Sequence, residues 1–229
     1  TFHSACVRIL RRDGERLGYP KSFTIYDTDD QQRAMKEVYK QLMVDDKFLP
    51  IKACMGQIGR LKDELVSPEE ALAAPADTKA GLIAKVYEAY QRRLKSAGAM
   101  DFDDLIYNTV CLFQQEKDVL EYYQNKYRYI LVDEYQDSNA IQETIFQAVS
   151  QSGQNLFMVG DVKQSIYRFR LADPDIFLRK YSAYPDAADA APGEPRKLLL
   201  SDNFRSREEV LAAANDVFSL VMNRESCEL

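Results

Sequence analysis

The sequence predicts an α/β fold in which a parallel sheet is joined to a helical insertion. Two short apolar runs, 129–132 and 156–159, are each followed by acidic residues, and a helical pattern lies between them. A strand, a helix and a second strand within about thirty residues form a βαβ unit, whose crossover makes the two strands parallel. Most of the remaining chain shows the apolar spacing of helices. With 46% hydrophobic residues, the 229-residue chain can bury a substantial core.

The helix of this βαβ unit is predicted over 139–150. Its inward face carries four apolar residues: Ile141, Ile145, Phe146 and Val149. Because parallel strands end at the same edge of a sheet, Asp133 and Glu134 after the first strand should lie near Asp161 after the second. Open α/β sheets bind their ligands at this carboxyl edge.

The adjacent carboxylates Asp133 and Glu134 suit nucleotide hydrolysis. In folds that hydrolyse nucleotides, the first carboxylate sits by the magnesium ion and the second faces the attacking water. The simpler interpretation is a core strand that enters an acidic loop, and for an isolated pair of carboxylates it would be the better one. The following helix and second strand favour the catalytic interpretation, since they build the edge at which such a site forms.

A third apolar run, 198–200, predicts another strand. It is followed by a helix that opens with a capping box at 206–209. Arg205 lies between the two, at a position suited to a phosphate contact. A single arginine is more often a solvated surface residue, so both interpretations of Arg205 stay open.

The remaining helices are predicted from caps and apolar stripes. The first begins at residue 1, and the second begins at a capping box formed by residues 28–31. A third begins at residues 67–70, which combine an N-cap with a first-turn proline. A fourth is marked by apolar residues over 82–94 and ends near Gly98, and a fifth is capped by Asp101. Two stretches are expected to be loops: 73–80 and 184–197.

Charge and cysteine content limit the partners and the compartment. Taken alone, the net charge of −6 argues against a nucleic-acid partner. A protein can nevertheless bind nucleic acid through a locally basic channel while the rest of its surface is acidic. The four cysteines are scattered without a C-x-x-C pair, as expected for free thiols in a reducing compartment. A single histidine argues against a zinc site. The sequence contains no apolar run of about eighteen residues, so no membrane-spanning helix is predicted.

Four segments resemble motifs of superfamily 1 DNA helicases of the UvrD/Rep type. Residues 133–137 (DEYQD), 159–170 (VGDVKQSIYRFR) and 203–206 (NFRS) resemble motifs II, III and IV, and residues 1–4 (TFHS) resemble motif Ib. They occur in the family's order, and the resemblance covers nearly the whole chain. Residues 162–174 are most similar to the AddA subunit of the bacterial helicase–nuclease, whereas 24–104 are more similar to the UvrD and PcrA helicases.

The chain also departs from this family. It contains no Gly-x-x-x-x-Gly-Lys-[Ser/Thr] segment, so the P-loop that cradles the phosphates is missing. Motifs Ia, V and VI are absent, and no nuclease motif is visible. We therefore expect an internal piece of a longer, cytoplasmic bacterial protein, and we expect the piece alone to be inactive.

The resemblance implies a division into three parts. Residues 1–20 and 101–195 would form an incomplete RecA-like P-loop NTPase motor domain, called 1A in the family. The helical insertion 21–100 would be subdomain 1B, and 196–229 would begin the second motor domain, 2A. In the family, ATP binds in the cleft between the two motor domains.

The resemblance also implies roles at the ATP site. Asp133 would hold Mg²⁺, and Glu134 would be the general base that orients the attacking water. Gln164 would sense the γ-phosphate, and Arg205 would act as the arginine finger from the second motor domain. Gln136 would help to couple this site to DNA.

Five residues would contact DNA. Tyr167 and Phe169 would offer aromatic faces to the bases beside Arg170, while Thr1 and His3 would lie along the DNA backbone. The family usually has tryptophan at the position of Phe169, so stacking there would be weaker. Core packing is the alternative for both aromatic residues, because such side chains are often buried.

The implied function is that of an ATP-dependent DNA helicase. It would move along single-stranded DNA, 3′-to-5′ in this family, and unwind duplex DNA in repair or recombination. A nuclease subunit would be a partner if the protein is AddA-like. One alternative is a non-enzymatic DNA- or partner-binding module without a P-loop. Another is a different P-loop ATPase, which the glutamine and aromatic pattern of 162–170 disfavours.

Overall fold

The fold is mainly helical and contains two small parallel sheets. The computed structural model describes residues 1–73, 75–150, 153–165, 172–200 and 202–221. The helices in this part of the chain are α1 Phe2–Asp13, α2 Thr28–Leu42, α3 Ile51–Asp63, α4 Pro68–Ala73, α5 Thr78–Ser96, α6 Phe102–Gln115, α7 Lys117–Lys126, α8 Ala140–Val149, α9 Pro174–Ala183 and α10 Glu208–Val221. The strands are β1 Thr24–Ile25, β2 Ala99–Met100, β3 Ile130–Val132 and β4 Leu156–Met158. None of these helices combines the length and apolarity needed to cross a membrane.

The predicted βαβ unit is confirmed. Strands β3 and β4 pair in parallel, with Val132 opposite Met158, and α8 connects them. Helix α8 begins after Asn139, whose side chain accepts a hydrogen bond from the Gln142 N–H at 3.1 Å. The inward face of α8 is buried as the periodicity predicted. Both strands therefore end at one edge.

Two large hydrophobic clusters organise the described helices, and a small third cluster packs Tyr135, Phe146 and Ile176 together. The first joins α1, α6, α7 and α8 and includes Leu10, Leu105, Phe113 and Ile141. The second lies within α2, α3 and α5 and includes Met35, Ile58, Val86 and Tyr87. Strands β1 and β2, paired in parallel, connect the helical segment to α6.

A buried ion cluster links the two hydrophobic clusters. Lys62, at the end of α3, places its Nζ 2.7 Å from Asp101 Oδ2 and 2.8 Å from Asp104 Oδ1. Asp101 caps α6, and the two aspartates form a reciprocal capping box. All three side chains are buried. The predicted cap at Asp101 is thus confirmed, and the same residue also forms a buried ion pair with Lys62.

The prediction of a strand at 198–200 is wrong. Leu198, Leu199 and Leu200 are 62%, 66% and 85% exposed and belong to no strand. Just before this run, the backbone forms one isolated parallel β-bridge, between Asp186 and Lys197. An apolar run forms a strand only where a neighbouring strand completes its hydrogen bonds, and no such neighbour lies beside it among the described residues.

Several helix boundaries also differ from the predictions. Helix α2 is capped by Asp27, one residue before the predicted box, since the Asp27 carboxylate accepts from the Asp29 and Asp30 N–H groups at 2.9 Å. Helix α10 begins at Glu208. Helices α3, α7 and α9 were not predicted.

Candidate functional site

The acidic pair lies at the carboxyl edge of the β3–β4 sheet. Asp133 and Glu134 directly follow β3, and both side chains are exposed. The Asp133 carboxylate accepts a hydrogen bond from the Glu134 N–H at 3.0 Å. Glu134 has a positive φ of 53°, in the left-handed region. Neither carboxylate forms an ion pair with another described residue.

Backbone hydrogen bonds continue the pairing of the two strands into this edge. The Val159 N–H donates to the Val132 carbonyl at 2.8 Å, and the Tyr135 N–H donates to the Val159 carbonyl at 2.9 Å. The turn after β3 is therefore tied to the turn after β4. This tie brings the Asp133–Glu134 segment beside the segment that begins at Asp161.

Gln136 forms the side-chain bridge between the two turns. It is buried, and its Oε1 accepts from the Asp161 N–H at 3.1 Å. The approach requires glycine at 160, because a Cβ there would lie 2.6 Å from Gln136 Oε1 and 3.1 Å from Phe177. The two turns can thus pack this closely only without a side chain at position 160.

Gln164 is held at the same edge by Asp161. The Gln164 Nε2 donates to Asp161 Oδ2 at 3.1 Å, and the Lys163 N–H donates to Asp161 Oδ1 at 3.1 Å. Asp161 therefore caps the short helical turn 162–164 and orients the exposed Gln164 amide. The sequence-based expectation that the ends of both strands lie together is confirmed.

The chemistry of this edge is suited to a magnesium–nucleotide ligand. Mg²⁺ is usually held by one or two carboxylates together with phosphate oxygens and water, rather than by a closed cage of side chains. Asp133 fits that requirement, since it is exposed and forms no ion pair within the described residues. The same residues offer no group of three or more metal-binding side chains.

Behind the acidic pair, Tyr135 anchors the turn. It is 1% exposed, and its hydroxyl donates a short hydrogen bond to Glu143 Oε2 on α8. Glu143 forms an ion pair with Lys180 of α9 at 2.6 Å, and Lys180 Nζ lies 4.9 Å from the centroid of the Tyr135 ring. Burial, followed by the hydrogen bond to Glu143, raises the pKa of Tyr135.

The predicted DNA-facing residues at the N-terminus lie on α1. Thr1 caps this helix, with its Oγ1 accepting from the Ser4 N–H at 3.3 Å. The half-buried ring of His3 packs edge-to-face on Phe102, with centroids 6.1 Å apart. Burial lowers the pKa of His3, and the charge of Asp103 opposes this shift. A neutral imidazole can hydrogen-bond to a phosphate but cannot neutralise it.

Arg205 is not brought to the acidic edge by any described contact. It lies in an exposed bend, where its N–H donates to Asn203 Oδ1 at 2.9 Å. None of the hydrogen bonds or ion pairs among the described residues joins its side chain to Asp133 or Glu134. Tyr167, Phe169 and Arg170 fall outside the described residues.

Sequence reasoning missed Glu143, Lys180 and Lys62 as parts of polar networks. Glu143 lies on α8, whose apolar stripe gave no reason to single out one charge, and Lys180 lies on α9, which was not predicted. For Lys62 a signal did exist, because Cys54, Ile58 and Lys62 follow one another at four-residue spacing on one face of α3. A lysine in such a stripe predicts a buried cation with acidic partners.

Comparison with known proteins identifies the family of this chain. The profile of the UvrD/REP helicase N-terminal domain matches residues 1–185. The chain belongs to this family. It is 44% identical over 217 residues to proteins named ATP-dependent DNA helicase PcrA from Staphylococcus epidermidis and Staphylococcus aureus. The match covers 95% of this chain and 29% of each relative, so the chain spans less than a third of their length.

Proposed function

We propose that the chain is part of an ATP-dependent DNA helicase and contributes the hydrolytic edge of its first motor domain. The observation that carries this proposal is the edge itself, where parallel pairing brings Asp133 and Glu134 beside Asp161 and Gln164. Relatives whose names state this activity support it. A RecA-like sheet, of which β3 and β4 would be two strands, is part of the same proposal.

Each residue of the edge has a role in this proposal. Asp133 would hold Mg²⁺, which when bound neutralises charge on the β- and γ-phosphates. Glu134 orients the attacking water and accepts its proton. The Gln164 amide, oriented by Asp161, donates to or accepts from the γ-phosphate and its nucleophile. Arg205 would reach the phosphate as the arginine finger once the second motor domain is closed.

The three-part division of the chain is likewise a proposal. Residues 1–20 and 101–195 would form motor domain 1A, 21–100 subdomain 1B, and 196–229 the start of domain 2A. The two separate hydrophobic clusters support the first boundary, since each is built almost entirely from one of the first two parts.

DNA is the proposed second ligand. Thr1, His3, Tyr167, Phe169 and Arg170 would contact single-stranded DNA, and duplex DNA would be unwound in the 3′-to-5′ direction typical of the family, in repair or recombination. The named relatives are bacterial PcrA helicases, which fits a cytoplasmic bacterial location. A nuclease partner would follow only from an AddA-type protein.

The test is Glu134→Gln in the full-length protein. We expect ATP binding to remain and DNA-stimulated hydrolysis to fall by about a hundredfold or more, because an amide cannot take the proton. Glu121→Gln, on the exposed side of α7, is the matched control. Turnover equal to that of the unaltered protein would remove Glu134 from the mechanism. If the unaltered full-length protein binds DNA without hydrolysing ATP, the non-enzymatic alternative is correct.

A further inference from the structure

Glu134 adopts a backbone conformation that needs external support. Its φ of 53° lies in the left-handed region, which is costly for a residue with a Cβ. Such residues persist where the surrounding structure holds them, and they cluster at functional sites. The groups that hold Glu134 in place are therefore candidates for a functional role of their own.

Tyr135, the next residue, provides this support. Its N–H is bonded to the Val159 carbonyl at 2.9 Å, and its ring packs against Phe146 and Phe177. Its hydroxyl is bound by Glu143. Both the backbone and the side-chain end of Tyr135 are thus fixed, so the peptide that precedes it cannot relax without breaking a buried contact.

Glu143 is itself held by a second, largely buried partner. Lys180 pairs with Glu143 Oε1 at 2.6 Å, and both side chains are only 17% exposed. Gln147 Nε2 donates to the same oxygen at 2.7 Å. Lys180 also covers the face of the Tyr135 ring and lies 3.4 Å from Met158 Sδ on β4. Because the pair is shielded from water, its attraction is stronger than that of a surface ion pair.

We propose that Glu143 and Lys180 are positioning residues for Glu134, acting through Tyr135. They hold the tyrosine, and the tyrosine holds the left-handed backbone from which the Glu134 carboxylate reaches the attacking water. This inference rests on the proposed function, because it requires Glu134 to be the base. Neither residue needs to touch the nucleotide, so their loss should alter the rate of the chemical step and leave nucleotide binding nearly unchanged.

The experiment compares variants of the full-length protein in steady-state ATP hydrolysis at saturating single-stranded DNA. Lys180→Met removes the charge and keeps the length of the side chain. We expect kcat to fall about tenfold or more, since small misplacement of a catalytic group costs up to about a hundredfold. The KM for ATP should change little, because ground-state binding is retained. Lys180→Arg should restore most of kcat. Arg92→Met is the control, since it breaks an exposed pair of equal length, 2.6 Å to Glu88.

Tyr135→Phe tests the same idea if Lys180→Met fails to fold. It keeps the ring and removes only the bond to Glu143, so kcat should fall with the KM for ATP retained. Wild-type kcat in either folded variant overturns the positioning role, as does an equal loss in Arg92→Met. The two proposals are separated by Glu134→Gln: if that variant is inactive while Lys180→Met is fully active, the proposed function stands and this inference fails.

Discussion

Replacing Lys62 by methionine should strongly destabilise the chain, because Lys62 is the ion-pair partner of two buried carboxylates. Its Nζ lies 2.7 Å from Asp101 and 2.8 Å from Asp104, and Tyr90 donates to Asp101 at 3.1 Å. Burial and the charge of Asp101 raise the pKa of Asp104 even with Lys62 present. Against burial, the charge of Lys62 keeps the pKa of Asp101 below its usual value.

The magnitude follows from the proton that the variant must bind. Without Lys62, two adjacent buried carboxylates cannot both stay ionised, so the folded state takes up a proton. Holding a carboxyl group of usual pKa about 3.9 neutral at about pH 7.5 costs up to about 5 kcal/mol. Breaking a buried ion pair by removing one partner costs about 3–5 kcal/mol. We therefore expect a loss of about 3–5 kcal/mol in the free energy of unfolding.

The sign of the pH dependence gives a sharper test. In the variant, the folded-state pKa lies above the unfolded value, so the penalty shrinks as the pH falls. At about pH 5.5 the same relation predicts a loss of about 2 kcal/mol in the free energy of unfolding. Urea unfolding followed by circular dichroism at both pH values measures the loss relative to the unaltered chain. Lys52→Met, exposed on the same helix, is the control. A loss under about 1 kcal/mol, or an equal loss at both pH values, would refute the reasoning.

Three further outcomes are expected. The 229-residue chain alone should release no phosphate from ATP, because it has no P-loop; DNA-stimulated release would contradict this. Gly160→Ala should displace Gln136 and lower the free energy of urea unfolding by about 1–3 kcal/mol, and unchanged stability would contradict the close approach. Burial and Asp103 raise the pKa of Asp63 to about 6, so ionised Asp63 is unfavourable. Asp63→Asn should therefore stabilise by roughly 1 kcal/mol above about pH 6, after solvent screening, and by nothing below about pH 4. Glu121→Gln should show no such gain.

The local sequence determined the elements on which the candidate site stands. The inward face of α8 and the two strands beside it follow from apolar spacing, and the parallel pairing follows from the crossover that the helix imposes. The cap at Asp101 was readable because the residues of a capping box lie within one helical turn. Because the helical crossover makes the two strands parallel, Asp133 and Asp161 could be placed at one edge from the sequence alone.

The tertiary structure decided which charged side chains are buried and which contacts keep Glu134 in its left-handed backbone conformation. The left-handed Glu134 depends on Tyr135, and Tyr135 depends on Glu143 and Lys180, which are 8 and 45 residues further along the chain. Residues 198–200 look like a strand in the sequence but have no strand to pair with in the described part of the chain. Burial, ion pairing and strand pairing depend on partners distant in sequence, and periodicity carries no information about such partners.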